Sequence, residues 1–209
     1  VKDPRTFRYL PLLLALTFTA GVAPAGAETT DEPPGWPPQD TDGEFVPVPS
    51  AYYDPIEIDA CDSTVTLTSG DVEEVKWKVR VREDGSTVIR YRGDTTVDLT
   101  RESDGAFVDE LDVSGPYTER ISADRTEVSV SLKGPSLLWP LSDIEADVLA
   151  REGVPEFLYF EEGRVSIDLE FPEDLTIPEP TSVEVTENTA RDITDVCELL
   201  DEAPPKGES

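Results

Sequence analysis

Residues 75–92 read Val75-Lys76-Trp77-Lys78-Val79-Arg80-Val81-Arg82-Glu83-Asp84-Gly85-Ser86-Thr87-Val88-Ile89-Arg90-Tyr91-Arg92. Up to Arg82, apolar and cationic residues alternate strictly, the period of a half-buried β-strand. Glu83-Asp84-Gly85 interrupts the pattern, and Thr87, Ile89 and Tyr91 then alternate with Val88, Arg90 and Arg92. The stretch predicts a β-hairpin with one apolar and one basic face. A two-residue Asp84-Gly85 loop would set Val79 against Arg90 and put charge on the apolar face. A three-residue loop, Glu83 to Gly85, sets Val81 against Thr87, Val79 against Ile89 and Trp77 against Tyr91. A slip of one residue flips every side chain, so only the second register keeps one face dry. Gly85 then supplies the left-handed residue of the turn. On the other face Lys78 opposes Arg90 and Lys76 opposes Arg92. Opposed like charges destabilise a strand pair, so acids nearby or an anionic partner must answer them.

Among the 209 residues are 46 Asp and Glu against 17 Lys and Arg, a net charge of -29, with no His and no Met. That balance speaks against nucleic acid, whose binding needs massed Lys and Arg, and against an anionic membrane surface. It suits either salt adaptation or cation binding, and the sequence does not choose. Without His, nucleophilic systems built on His and the usual zinc sites drop out. Nothing specifies a cofactor, and no residue is assigned a catalytic or metal-binding role. Carboxylates abound, so a carboxylate-dependent glycoside hydrolase stays as an alternative, but no particular pair stands out.

The chain divides into four parts. Lys2, Arg5 and Arg8 precede the apolar run Leu10 to Ala20, and Ala25-Gly26-Ala27 follows as a small-residue cleavage site. Residues 1–27 read as a secretory signal peptide, so the mature chain is expected outside the cytoplasm, with no integral membrane segment. Residues 28–52 are acidic and proline-rich and read as an extended arm. Its Asp40-Thr41-Asp42-Gly43 does not fit a calcium loop, because Pro38 and Pro49 fall where carboxylates are required. Trp36, Phe45, Tyr52 and Tyr53 are the residues able to dock the arm. Residues 53–202 form the β domain, and 203–209 a disordered tail.

Within the domain short strands alternate with turns. Thr64 to Thr68, then Val97 and Leu99, read as strands. Phe107, Leu111 and Val113 share a phase with Asp109, which calls for a bulge at Asp109-Glu110 or else a buried acid. Val128, Val130 and Leu132 form another strand, ended by Gly134-Pro135. Ser142 and Glu145 make a capping box ahead of Ile144, Val148 and Leu149, which predicts a helix stopping near Gly153. Phe157 to Phe160, Val165 to Phe171, and Val183 with Val185 read as strands. Ile193, Val196, Cys197 and Leu200 fall at helical spacing. The architecture expected is mainly β: an antiparallel β-meander forming a barrel or sandwich, with one short inserted helix and a short C-terminal helix. The two cysteines, Cys61 and Cys197, are expected to form a disulfide, as export favours.

The motifs Asp59-Ala60-Cys61, Gly134-Pro135-Ser136-Leu137-Leu138, Gly153-Val154-Pro155, Gly163-Arg164-Val165 and Asp195-Val196-Cys197-Glu198-Leu199-Leu200 occur in that order between residues 59 and 200. In this the chain resembles secreted β-rich proteins of actinobacteria that carry no known activity. The resemblance implies an exported β domain stapled from end to end, and brings no catalytic residues.

Two candidate sites remain. Lys76, Lys78, Arg80, Arg82, Arg90 and Arg92 share the basic face. They are either an anion site, for an acidic envelope polymer or another envelope protein, or partners of Asp98, Asp168, Glu170 or the arm. Trp77, Tyr91, Leu137, Leu138 and Trp139 are either ordinary core or the lining of an apolar pocket, which would make the protein a small-ligand carrier. The function expected is that of a non-catalytic extracellular or cell-envelope binding or structural domain.

Overall fold

The computed structural model describes residues 38–173 and 179–207. The signal-like segment and Trp36 lie outside these residues. Chain order gives β1 (Val46–Pro47), a 3₁₀ turn (Ser50–Tyr53), β2 (Ile56–Ala60), β3 (Ser63–Glu73), β4 (Lys76–Val81) and β5 (Thr87–Arg92). Next come β6 (Thr95–Arg101), β7 (Phe107–Asp112), β8 (Tyr117–Ile121), β9 (Glu127–Lys133) and β10 (Ser136–Leu138). The chain continues through α1 (Asp143–Arg151), β11 (Leu158–Glu162), β12 (Arg164–Glu170), β13 (Ser182–Asn188), β14 (Arg191–Asp195) and α2 (Val196–Glu202).

The hairpin β4–β5 takes the three-residue loop. Trp77 faces Tyr91, Val79 faces Ile89 and Val81 faces Thr87. Arg82 N–H donates to the Ser86 carbonyl at 2.8 Å, and Gly85 sits at φ +83°. Around this hairpin a seven-stranded sheet runs in the order β1-β4-β5-β8-β9-β12-β13. A four-stranded sheet, β2-β3-β6-β7, and a three-stranded one, β10-β11-β14, complete the fold. Every pairing is antiparallel. The result is sandwich-like, with no closed barrel among the described residues. After β5 the chain leaves the large sheet to build β6–β7, and after β9 it leaves again to build β10, α1 and β11. Both excursions make neighbours of strands distant in sequence.

The bulge stands where Asp109 demanded it. Leu99 faces Val108 and Val97 faces Leu111, so Asp109 and Glu110 together oppose Asp98. Glu110 takes φ +52° and Asp109 is exposed. Val108, rather than Phe107, thereby joins Leu111 in the core. At the N-terminus of α1, Ser142 accepts from Glu145 N–H, and the Glu145 carboxylate accepts from Leu141 N–H at 2.8 Å. Ile193, expected on the last helix, belongs instead to β14 and is 51 % exposed. The helix begins only at Val196, capped by the Asp195 side chain.

Two apolar clusters fill the interior. One lies on the large sheet around Val79, Ile89, Val165 and Ile167; the other lies on the four-stranded sheet around Val65 and Leu99. The small sheet serves both. Leu138, Leu158 and Phe160 belong to the first cluster, Leu137 and Tyr159 to the second. A strand buried on both faces needs no polar alternation, which is why Leu137-Leu138-Trp139 reads as an unbroken apolar run.

Residues 38–48, expected in an extended arm, lie along β4 instead. Thr41 N–H donates to the Val79 carbonyl at 3.2 Å, and Asp40 Oδ2 accepts from Val81 N–H at 2.9 Å. Val46 pairs with Trp77, and Val48 is buried. The open edge of β4 offers unpaired amides and carbonyls, and these decide the placement where composition pointed to solvent. The expected tail is also held in part: Pro205 bridges Ala106, and Phe107 N–H donates to the Pro204 carbonyl at 3.0 Å.

Cys61 and Cys197 are bonded, 136 residues apart. Ala60 faces Ser63, so Cys61 and Asp62 alone turn β2 into β3, both at positive φ. The bond therefore ties this two-residue turn to the first turn of α2. Nearby, Arg101 grips Asp104 with two hydrogen bonds and Asp201 with a third at 2.6 Å. Between described residues the remaining ion pair is Arg164–Glu187. So few pairs leave most of the acidic charge unanswered, and we expect melting temperature to climb as NaCl is added from low ionic strength. A flat salt series would show the acids already neutralised locally.

Candidate functional site

The outer face of the large sheet carries two continuous rows of residues in register. One reads Arg80–Val88–Arg120–Ser129–Asp168–Glu184 from β4 to β13. The other reads Lys78–Arg90–Thr118–Ser131–Ser166–Glu187. Each passes from cations through hydroxyls to acids. Val88, within the basic half, is only 6 % exposed and stands in register between Arg80 and Arg120, whose long alkyl stems are of the kind that can cover an apolar neighbour.

The structure brings Lys76, Lys78, Arg80, Arg90 and Arg92 to this face, at one side of the sheet; Arg82 lies just past β4, where its N–H closes the hairpin turn on the Ser86 carbonyl. Among the described residues none of Lys76, Lys78, Arg80, Arg82, Arg90 and Arg92 has a carboxylate oxygen within ion-pair distance; the pairs involve Arg101 and Arg164. The acids proposed as internal partners are too remote. Asp168 and Glu170 stand on β12, three strands from β5, which is about 14 Å at the usual strand spacing. Asp98 belongs to the other large sheet. In the docked arm, Asp40 spends its carboxylate on the backbone N–H groups of Asp42 and Val81. What the arm does bring is Phe45, whose ring centroid lies 3.7 Å from the Arg92 guanidinium carbon and 5.7 Å from Lys78 Nζ. Such contacts orient a cation while keeping its charge. Arg120 is a sixth member that the sequence reading missed. It follows Glu119 in a strand whose buried acid disguises the alternation of Tyr117, Glu119 and Ile121.

The apolar candidates separate. Tyr91, Leu137 and Trp139 line a cavity of about 110 Å³ where the large sheet, the four-stranded sheet and β10 meet. Leu138 lines a smaller one of about 40 Å³, which also touches Leu137 and Trp139. Trp77 borders neither and packs against Tyr91, 6.2 Å between ring centroids. Tyr91 stacks on Tyr117 at 4.8 Å and on Tyr52 at 5.9 Å. Tyr52 comes from the 3₁₀ turn, which Tyr53 pins by accepting from Val75 N–H at 2.9 Å.

Among the described residues two carboxyls are buried. Glu119 points into the apolar face of β8, and burial pushes it up to about 8, with Oε2 lacking any partner. Burial likewise raises Glu145 to about 7, against the Leu141 N–H that favours its charged form. Glu145 borders the smaller cavity and Glu119 borders neither, so these acids do not face each other across a common space as a hydrolase pair would. At the β6–β7 bulge, Asp98, Asp109 and Glu110 each offer an oxygen within 4.8 Å of the others. Protein donors already use this group: Asp71 N–H and the Thr96 hydroxyl bind Glu110, and Glu110 N–H binds Asp98.

The chain matches no family model, no curated protein and no solved structure.

Proposed function

We propose that the protein is a non-catalytic binding domain working outside the cytoplasm, and that it takes an anionic polymer of the cell envelope on the outer face of the large sheet. The observation behind this is a set of cations with no carboxylate at ion-pair distance among the described residues: Lys76, Lys78, Arg80, Arg90, Arg92 and Arg120 stand together in a chain of net charge -29. Keeping like charges adjacent costs stability, and a bound polyanion relieves that cost. Neighbouring strands lie about 4.8 Å apart and alternate residues about 7 Å apart. The basic patch thus meets a polymer whose phosphates or carboxylates recur at similar intervals. Acids elsewhere repel such a polymer, which confines it to this face and makes binding strongly salt-dependent. Single exposed contacts contribute only ~0–1 kcal/mol each, so affinity must come from several at once. The disulfide and the signal-like N-terminus support the location.

Replacing Lys78, Arg80 and Arg90 together with Gln should weaken binding to a poly(glycerol phosphate) probe at least about tenfold, as three contacts of roughly 0.5–1 kcal/mol are lost. Melting should stay level or rise as the repulsion goes. Arg164→Gln, in the distant pair with Glu187, should leave binding unchanged. A parent that does not bind, or a triple variant that binds normally, overturns the proposal.

A further inference from the structure

We propose that the anionic polymer leaves the β4–β5 hairpin sideways, crossing the large sheet along the row Lys76–Arg92–Pro116–Lys133, and that Lys133 of β9 is a further residue that binds it. The inference rests on the polymer-binding reading of this face and gives the polymer a direction. Lys76 faces Arg92 across the hairpin. Tyr91 faces Tyr117, so Arg92 falls beside Pro116, and Lys133 N–H donates to the Pro116 carbonyl at 3.1 Å. Lys133 is exposed, on the same side of β9 as Ser129 and Ser131 and opposite buried Val130 and Leu132. It therefore stands on the outer face with the six cations already described.

The charges around those cations close the other ways out. Along the hairpin, exposed Glu83 and Asp84 occupy the turn, and exposed Glu74 and Asp94 meet at the opposite end, joined by a backbone hydrogen bond of 2.9 Å. Along the outer edge of β4 lies the docked arm, whose Asp40, Asp42 and Glu44 are exposed. A polyanion is repelled in each of these directions, so it must pass over β8 and β9. The row from Arg80 meets Asp168 and Glu184, and the row from Lys78 ends at Glu187. The row from Lys76 instead adds a cation, because Lys133 has no carboxylate at ion-pair distance among the described residues. Arg164 comes next and faces Lys133, but Glu187 lies 3.5 Å from its guanidinium and answers its charge. The track therefore ends at Lys133. From β4 to β9 is three strand spacings, about 14 Å, the least length over which a bound stretch must carry anions.

Variants of Lys133 separate a polymer that crosses the sheet from one that lies along the hairpin. Poly(glycerol phosphate) is titrated into the whole chain at several NaCl concentrations. Lys133→Gln should weaken binding about two- to fivefold and flatten its salt dependence, as one contact is lost. Lys133→Glu sets an acid in the path and should weaken binding beyond about tenfold. Lys133→Arg should bind as the parent does, and so should Arg164→Gln, the neighbour in register. Melting curves level with the parent's would show that any lost binding is not lost folding. Normal binding by the Gln and Glu variants of Lys133, beside a weakened triple variant of Lys78, Arg80 and Arg90, overturns the crossing and leaves the polymer on the hairpin. A loss on Arg164→Gln as large as on Lys133→Gln also overturns it, since overall charge would then explain both. A parent that does not bind overturns this inference together with the reading it rests on.

Discussion

Raising the pH from 5 to 9 is expected to remove about 4 kcal/mol of folding stability through Glu119 alone. Its carboxyl sits on the inner face of β8, between Ile89 of β5 and Val130 of β9 in register. Burial lifts it from 4.5 to about 8, with no cation to offset the effect. The Tyr52 and Tyr91 phenols nearby are themselves pushed up by burial and stay neutral over this range. The folded chain thus holds a proton that the unfolded chain releases near 4.5. Stability from this group is complete below that value and drains away as pH rises through 8, at up to about 1.4 kcal/mol per pH unit. Glu145 adds a loss of the same sign, since its carboxyl is raised to about 7. Urea denaturation at several pH values measures the effect, and Glu119→Gln isolates it from general charge repulsion, which both proteins share. The variant should overtake the parent above neutral pH, and Glu119→Leu should be the more stable at every pH, because it also removes an unpartnered buried oxygen. Identical pH profiles for parent and Gln variant would show that Glu119 is solvated or paired.

The second large effect is expected from the disulfide. Replacing Cys61 and Cys197 together with Ser opens a loop spanning 136 residues, which the chain-entropy relation values at about 5 kcal/mol. For a domain of this size that amounts to a fall in melting temperature of roughly 10–20 °C. The turn it holds adds to the effect. Cys61 takes φ 57° and Asp62 φ 54°, a conformation that side-chain-bearing residues adopt at a cost. An unchanged melting curve for the double variant would show that packing of α2 alone fixes this corner.

Much of the local structure was legible in the sequence, and its limits have physical causes. Alternation and Gly85 sufficed for the β4–β5 register, the misplaced Asp109 for the bulge, and Ser142 with Glu145 for the start of α1. Those signals are side chains in regular relation to their own backbone. Pairing between distant strands, such as β5 with β8 or β9 with β12, rests on ladders of identical amides and leaves no comparable mark. The same holds for residues 38–48, where backbone hydrogen bonds to β4 outweigh an acidic, proline-rich composition. At the candidate sites the cationic strand pair was visible at once. Arg120 was hidden because Glu119, in phase with Tyr117 and Ile121, makes that strand look polar throughout. Leu137 to Trp139 stood out as apolar, but only the layers on either side show that alternate residues serve different clusters.

That division has a thermodynamic consequence. Phe160 and Tyr159 are adjacent in the chain yet belong to opposite clusters, so neither half of the interior can come apart without exposing a face of β11. The halves share one partition, and losing it unmakes both. Heat and denaturant should therefore find one cooperative transition where two hydrophobic clusters might have given two, and the amides of β10 and β11 should exchange with solvent only when the whole molecule opens.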